Sequence, residues 1–329
     1  MADQLVGGNL AGHDSHGVGM LTYYVDGVLN GGLAVNQHAS VVSDGGGVVV
    51  LDGNAGFGQV NGYESCEIAI ERAREHGVAL VGLRNSFHIG RVGHWGEHCA
   101  RAGLVSIHFV NVVGHEPVVA PYGGADPRFG TNPFCIAVPG SDDEPLMLLD
   151  MATSKIAMGK ARVAHNSGVA IRDDTLLDGQ GRVTTDPTAM FDEPISGAFI
   201  AFGDHKGSGL AMMCELLGAA LIGGVTVAPH HPRDGRIINN MITIAIDPAA
   251  SGSAEGFRAE TEAFVDYVLQ SRPREGFEEI QIPGGPENKA RVARAGSVSI
   301  DDESFRQLVE CAGRSGAQGQ AVDELLAYR

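Results

Sequence analysis

The sequence predicts an α/β fold, and three observations carry that prediction. Short β-branched runs alternate with stretches of helical apolar spacing, hydrophobic residues make up 43% of the chain against 19% charged, and glycine occurs 47 times in 329 residues. A charged fraction below the usual ~25% leaves enough apolar side chain for a large core and excludes extensive disorder. The glycines follow no period, so they serve tight turns and close backbone approaches rather than a repeat.

Taken in order, residues 18–29 (VGMLTYYVDGVL) and 63–76 (YESCEIAIERAREH) have helical spacing, with two β-type runs, SVVSD and GVVVLDG, between them. An alternation follows: strand 78–83, helix 93–103, then strands 104–113, 133–139 and 145–151. Residues 172–187 read as a polar surface loop. A long apolar helix is expected over 206–222, a strand over 241–248, an amphipathic helix over 254–272, an extended segment over 280–287 and a polar helix over 302–314. Residues 209–227 imitate a membrane span, but their glycines and the mid-segment Glu215 mark a core helix instead.

Charge and cysteine content bound the function. With 23 basic and 40 acidic residues the formal charge is −17, which repels nucleic acid and anionic membranes. Five dispersed cysteines with no C-x-x-C spacing fit reduced thiols, and residues 1–17 lack a basic and apolar leader; a cytoplasmic location is expected.

Four constellations carry candidate chemistry. Gly56-Phe-Gly58-Gln-Val-Asn-Gly62 precedes a helix, yet Asn54 and Ala55 separate it from the strand and the next strand ends in Arg84 rather than an acid. It reads as a loop-to-helix turn rather than a dinucleotide fingerprint. His94-x-x-Glu97-His98 matches a zinc-hydrolase helix, although Gly90, Gly93 and Gly96 make the supporting helix poor. His13 and His16 lie between Gly12 and Gly17, where backbone can approach a ligand; capping by Asp14 or Ser15 is the structural alternative. Asp150, ending a strand in LLDMATS, suits a ribose hydroxyl or a helix cap, and His205-Lys206 at the start of the apolar helix suits an anion.

In order along the chain, DSHGVGML, NSFHIGRVG, RFGTNPFCIAVP, LLDMATS, HKGSGLA and IPGGPEN resemble the type-2 malate/lactate dehydrogenase family from Ala2 to about Arg314. The resemblance implies an oxidoreductase that interconverts 2-hydroxy and 2-oxo acids of malate, lactate or phenyllactate type with NAD or NADP. It further implies a mixed-sheet, non-Rossmann NAD(P)-binding fold with a helical substrate and dimerisation region, and a homodimer. On that basis residues 77–272 form the NAD(P)-binding domain, while 1–76 with 273–329 form the substrate and dimerisation region. His88 matches the family's proton-transferring histidine, and His16 the histidine beside the nicotinamide. Cofactor contacts fall on His16, on Gly90, Arg91 and Val92, on Leu148, Leu149, Asp150, Met151 and Ala152, on His205 and Lys206, on Asn239, and on Pro283, Gly284, Gly285 and Pro286. No metal is implied. Three features depart from the family: relatives carry a further segment ahead of this point, many have Arg where Met20 stands, and PGGP replaces the commoner PGE. Ser15 and Arg128 are candidates to meet the substrate, and either Arg128 or Arg91 can hold its carboxylate. Alternatives are the zinc hydrolase and a nucleotide-binding protein without catalysis.

Overall fold

A computed structural model describes residues 1–140, 145–192, 195–316 and 318–327. The chain opens with α1 (Ala2–Leu10), passes through 3-10 turns at Asp14–His16 and Val18–Met20, and enters α2 (Leu21–Leu29). A hairpin of β1 (Ser40–Asp44) and β2 (Val48–Asp52) leads to α3 (Gly58–His76) and then β3 (Val78–Phe87). α3 stops where Gly77 turns left-handed at φ +82, its N–H closing on the Ala73 carbonyl. Next come α4 (Gly93–Arg101), β4 (Val105–Val113), β5 (Phe134–Pro139), β6 (Pro145–Met151) and α5 (Met158–Asn166). Short pieces follow, β7 (Leu176–Leu177), β8 (Val183–Thr184), α6 (Thr188–Phe191) and β9 (Ala198–Phe199), before α7 (His205–Gly218) and β10 (Ile238–Ile246). The helices α8 (Ala254–Leu269), α9 (Gly285–Ala293), α10 (Asp302–Ser315) and α11 (Gln320–Leu326) complete the path.

Seven strands form one sheet in the order β1-β2-β3-β10-β4-β5-β6, and β7, β8 and β9 form a second, three-stranded sheet. Only β2 and β3 run parallel, with α3 as the crossover such a pair requires; every other neighbour is antiparallel. The sheet is thus not a doubly wound parallel one but mixed and mostly antiparallel, as the family resemblance implies. β10, from late in the chain, lies between β3 and β4, with Asn239 opposite both Ser86 and Val112. The sheet takes β1 and β2 from before residue 77 and its other strands from after it.

One apolar core joins sheet residues such as Leu51, Val81, Leu83 and Met241 to Cys66, Trp95 and Cys99 of α3 and α4. Gly62 makes that packing possible, because a Cβ there would stand 2.5 Å from the Trp95 ring. A second core gathers Val119, Phe129, Leu176 and Phe199 at the small sheet, and a third places Leu5, Tyr24, Leu33 and Phe87 beneath the N-terminal helices. All five cysteines are free and buried.

The structure departs from expectation in several places, α6, β9 and α11 being unexpected short elements. Residues 285–293 are helical, because Pro286 falls in the first turn, where its missing N–H is harmless. The polar loop over 172–187 contains β7 and β8. α1 and α5 were not expected from the apolar pattern; α1 buries Gln4, Leu5, Gly8 and Asn9, a face half polar. The helix expected as core is two-faced: α7 buries Ala211, Cys214 and Glu215 but leaves Met212, Met213 and Leu216 exposed. Among the described residues no helix is long and apolar enough to cross a membrane.

Candidate active site

β3 delivers His88 to the site. Asn85 takes φ +52 and the register against β10 shifts between Asn239 and Met241, so the strand is kinked just before its end, and Phe87, His88 and Ile89 all remain buried as it passes into the turn. The turn that follows is held from several sides. Asn239 Oδ1 accepts from the Ile89 N–H at 3.0 Å while its amide nitrogen donates to the Asn111 carbonyl at 3.0 Å. The Ile89 carbonyl accepts from Gln4 Nε2 at 2.7 Å and from the Trp95 indole at 3.1 Å. Gly90 turns at φ +74 so close to Gln4 that a Cβ would meet its Oε1 at 2.2 Å, a position open only to glycine. At the other flank, Gly58 starts α3 against the same turn, where a Cβ would stand 2.2 Å from the His88 carbonyl oxygen.

His88 is 8% exposed; its Nδ1 lies 2.7 Å from the Tyr24 hydroxyl, which also receives a hydrogen bond from Gln59 Nε2 at 2.5 Å. The His16 ring stacks over it, centroids 5.7 Å apart and planes 24° from parallel. Burial, and secondarily the fields of His16 and His115, push His88 down to about 3. Burial does the same to His16, with help from His13 and Arg91, down to about 4. At neutral pH the site therefore presents two neutral imidazoles. No described protein group bonds His88 Nε2.

His16 is placed by a loop tied at both ends. Asp14 accepts from Asn9 Nδ2 at 2.7 Å and from Arg294 at 2.7 and 3.1 Å, and Asn9 Oδ1 accepts from the Val18 N–H at 2.8 Å. Gly17 is required here, since a Cβ would lie 2.2 Å from Asn9 Oδ1. Ser15 Oγ is 3.1 Å from His16 Nδ1, and Gly159 of α5 packs against Ser15. His13 meets Glu287 of α9 at 3.0 Å, and Met20 joins the third apolar core.

Beyond the turn, Arg91 lies buried between Glu97 and Asp150, 3.4 Å from the latter, and Asp150 Oδ2 accepts from the Gly93 N–H at 2.9 Å. Arg291 of α9 reaches Glu97 at 2.5 Å. Burial raises Glu97, but Arg91 and Arg291 outweigh it and hold the carboxyl below its ordinary value; burial raises Asp150 above its own, against Arg91. In the His94-x-x-Glu97-His98 motif the glutamate thus serves arginines, and His98 pairs with Glu67 at 2.5 Å. Among the described residues no His, Cys, Asp and Glu cluster could hold a metal, and nothing supports the hydrolase.

Of the residues expected at a cofactor, Gly90, Arg91 and Val92 join Asp150 through Arg91 and the Gly93 N–H. Leu148 joins the 283–286 segment, its N–H donating to the Pro283 carbonyl at 3.1 Å with Gly284 against it. Leu149, Met151 and Ala152 flank Asp150 and are partly buried. These segments, remote in sequence, are joined to one another and, through Glu287, to the His13 loop. Asn239 is buried with its amide committed to backbone on both sides. His205 and Lys206 are exposed at the start of α7, His205 edge-on to Tyr122 at 5.8 Å. Arg128 is exposed and bonds Asp126 at 2.9 Å and the Pro127 carbonyl at 2.7 Å; neither contact is to the histidines. Sequence reasoning missed Tyr24 and Gln59, which fall in an apolar helical face and in the glycine-rich turn and carry no motif of their own.

The family comparison covers almost all of this architecture. Residues 1–309 match the malate/L-lactate dehydrogenase family. Hydroxycarboxylate dehydrogenase B of Escherichia coli K12 is 46% identical over 319 residues, which is 96% of this chain and 87% of that protein. An L-lactate dehydrogenase of Cupriavidus necator is 39% identical over 94% of this chain and 88% of its own length. The solved sulfolactate dehydrogenase of Methanocaldococcus jannaschii superposes with a TM-score of 0.85 at 32% identity, covering 96% of this chain and 90% of that one. With matches of this extent in sequence and in fold, the chain belongs to the malate/L-lactate dehydrogenase family.

Proposed function

We propose that the protein interconverts 2-hydroxycarboxylates and 2-oxocarboxylates with NAD or NADP, and that His88 is its acid/base. The observation that carries the reading is the buried, neutral His88 ring, anchored through Nδ1, with Nε2 unclaimed by protein in a chain of this family. A neutral imidazole can take the proton of a substrate hydroxyl, and the imidazolium can return it to a carbonyl oxygen. The nicotinamide, when bound, takes up or gives back the hydride at the substrate carbon.

The remaining roles follow from what each side chain has left to offer. His16 lies over His88 and faces the reacting group from the other side. A substrate carboxylate entering beside the two imidazoles raises their affinity for a proton, because an opposite charge stabilises the imidazolium. Arg91 is occupied by Glu97 and Asp150, which leaves Arg128 to meet the carboxylate, with the Ser15 hydroxyl beside His16 as a second donor. Dinucleotide binding is assigned to the cradle of Gly90, Arg91, Val92, Leu148 to Ala152 and Pro283 to Pro286, with His16, His205, Lys206 and Asn239 around it. Its backbone amides and buried Asp150 suit a pyrophosphate and a ribose. In this reading 77–272 is the NAD(P)-binding domain and 1–76 with 273–329 the substrate and dimerisation region, each lending residues to the shared site: His16 and Pro283 to Pro286 to the cofactor, Arg128 to the substrate. A homodimer belongs to the same reading and is supported by the exposed Met212, Met213 and Leu216 of α7.

The test is a panel of malate-, lactate- and phenyllactate-type 2-oxo acids offered with NADH and with NADPH to the folded protein. Loss of reduced-nicotinamide absorbance with at least one acid is expected; none across the panel overturns the reading. Arg128→Ala should raise KM about tenfold or more with kcat nearly kept.

A further inference from the structure

His88 and the two side chains behind it, Tyr24 and Gln59, form a buried chain of hydrogen bonds whose proton count has two solutions. His88 is 8% exposed, Tyr24 1% and Gln59 5%. Gln59 Nε2 lies 2.5 Å from the Tyr24 oxygen, which lies 2.7 Å from His88 Nδ1. An amide nitrogen has only protons to give, so the Tyr24 oxygen accepts from it. The one hydroxyl proton then goes to His88 Nδ1, and the neutral ring carries its own proton on Nε2. The opposite solution needs an acceptor beyond Tyr24. Gln59 has one: its Oε1 is buried with no hydrogen-bond partner. With the amide turned over, Oε1 accepts from the Tyr24 hydroxyl, the Tyr24 oxygen accepts from His88 Nδ1–H, and Nε2 becomes a lone pair.

We propose that Tyr24 and Gln59 are positioning residues that decide which nitrogen of His88 carries the proton, the Gln59 amide orientation switching Nε2 between donor and acceptor. Where it concerns turnover, the proposal rests on the acid/base reading of His88. With Gln59 Oε1 toward Tyr24, Nε2 takes the proton released as a substrate hydroxyl becomes a carbonyl, and returns it in the reverse direction, while Nδ1–H stays in place throughout. With Gln59 Nε2 toward Tyr24, His88 offers a hydrogen bond to a carbonyl oxygen but cannot act as a base. The other groups facing the ring are the His16 and His115 imidazoles; no described carboxylate pairs with His88 to fix the tautomer by charge.

Nitrogen-15 NMR of histidine-labelled protein reads the protonation of each ring nitrogen without substrate, the His88 signals being identified by their loss in His88→Asn. The wild-type ring should carry its proton on Nε2. In Gln59→Glu the carboxylate can only accept, so the proton should move to Nδ1 and the acid limb of kcat/KM should shift to higher pH. Tyr24→Phe should remove the preference for one tautomer and lower kcat about 10- to 100-fold, with KM and dinucleotide affinity within several-fold. A wild-type ring protonated on Nδ1 overturns the proposal, and so does an Nε2 proton retained in Gln59→Glu. The wild-type arm needs no variant to fold. Tautomers that shift as expected in a protein without turnover would overturn the acid/base reading and leave the switch standing.

Discussion

On one side of the turn at residues 88–93, the buried Arg91, Glu97 and Asp150, with the part-exposed Arg291, form a cluster in which each charge faces an opposite one. On the other side His88, Tyr24 and Gln59 are equally buried but neutral; Gln59 Oε1 has no hydrogen-bond partner, and no described protein group bonds His88 Nε2. Burying a charge is tolerable only when it is paired and hydrogen-bonded, so the charged cluster has no capacity left for a reacting group. A neutral cluster can leave an atom open at smaller cost, and that open valence is what a proton-transferring site needs. In the proposed reading the two clusters on one turn divide its duties, the charged one holding the backbone and lining the dinucleotide site and the neutral one handling the proton.

The sharpest way to break this division is to remove the open valence. His88→Ala should lower kcat roughly 10²–10⁴-fold in a 2-oxo acid reduction assay, with dinucleotide affinity by titration calorimetry within several-fold of wild type. Unchanged turnover would transfer the role to His16. The charged side should respond in stability instead. Glu97→Gln leaves Arg91 and Arg291 against a neutral amide, and breaking a buried pair this way destabilises by about 3–5 kcal/mol. Urea unfolding measures it, while kcat per folded molecule should stay near wild type. A parallel collapse of kcat would show the two clusters to be one unit.

Gly58 joins the turn to the helix behind it, where a Cβ would press on the His88 carbonyl. Gly58→Ala places a methyl 2.2 Å from the His88 carbonyl oxygen and 2.5 Å from that of Phe87. Overpacking of this kind costs about 1–3 kcal/mol. Because the clash falls on the His88 backbone, kcat should drop as well, by about tenfold, since small misplacements of a reacting group are costly. A stability loss with full activity would show that the turn relaxes without moving the ring.

How far these features were legible depends on whether a segment's chemistry is local. The strands and α3 were readable because Val, Ile and Leu repeat at strand or helix period, and six motif segments in order pointed to the family and singled out His16 and His88, whose rings the fold stacks together. The insertion of β10 between β3 and β4 was not readable, because pairing over more than 100 residues leaves no trace in either strand's pattern. α9 was hidden by Pro286, which reads as a breaker until its place in the first turn is known. Tyr24 escaped because its ring satisfies the apolar face of α2 and its hydroxyl matters only once Gln59 and His88 are folded against it. Glu215 was read as a mark against a membrane span, but its partners Asn111 at 3.1 Å, Asn132 at 2.8 Å and the Val227 N–H at 3.0 Å come from three separate segments.

The comparison also sets a pH dependence that the charged cluster cannot produce. His88 is held down to about 3 in the folded protein, against an ordinary value of 6.5. Above 6.5 the ring is neutral whether the chain is folded or not, and the site adds no slope. As pH falls below 6.5 the unfolded chain takes up a proton that the folded one refuses, so stability declines at about 1.4 kcal/mol per pH unit for this one histidine until pH nears 3. His16 and His94, both held down to about 4, add to the decline in the same direction. Glu97 has a lowered folded value and works at lower pH, where its own protonation removes its attraction for Arg91 and Arg291. Urea unfolding of wild type and His88→Asn at pH values from 7 to 5 separates the two: the variant should lose stability more slowly with falling pH, by about one proton's worth of slope. Equal slopes would mean that His88 titrates in the folded protein near its ordinary value, and would remove the distinction between a neutral cluster and a charged one.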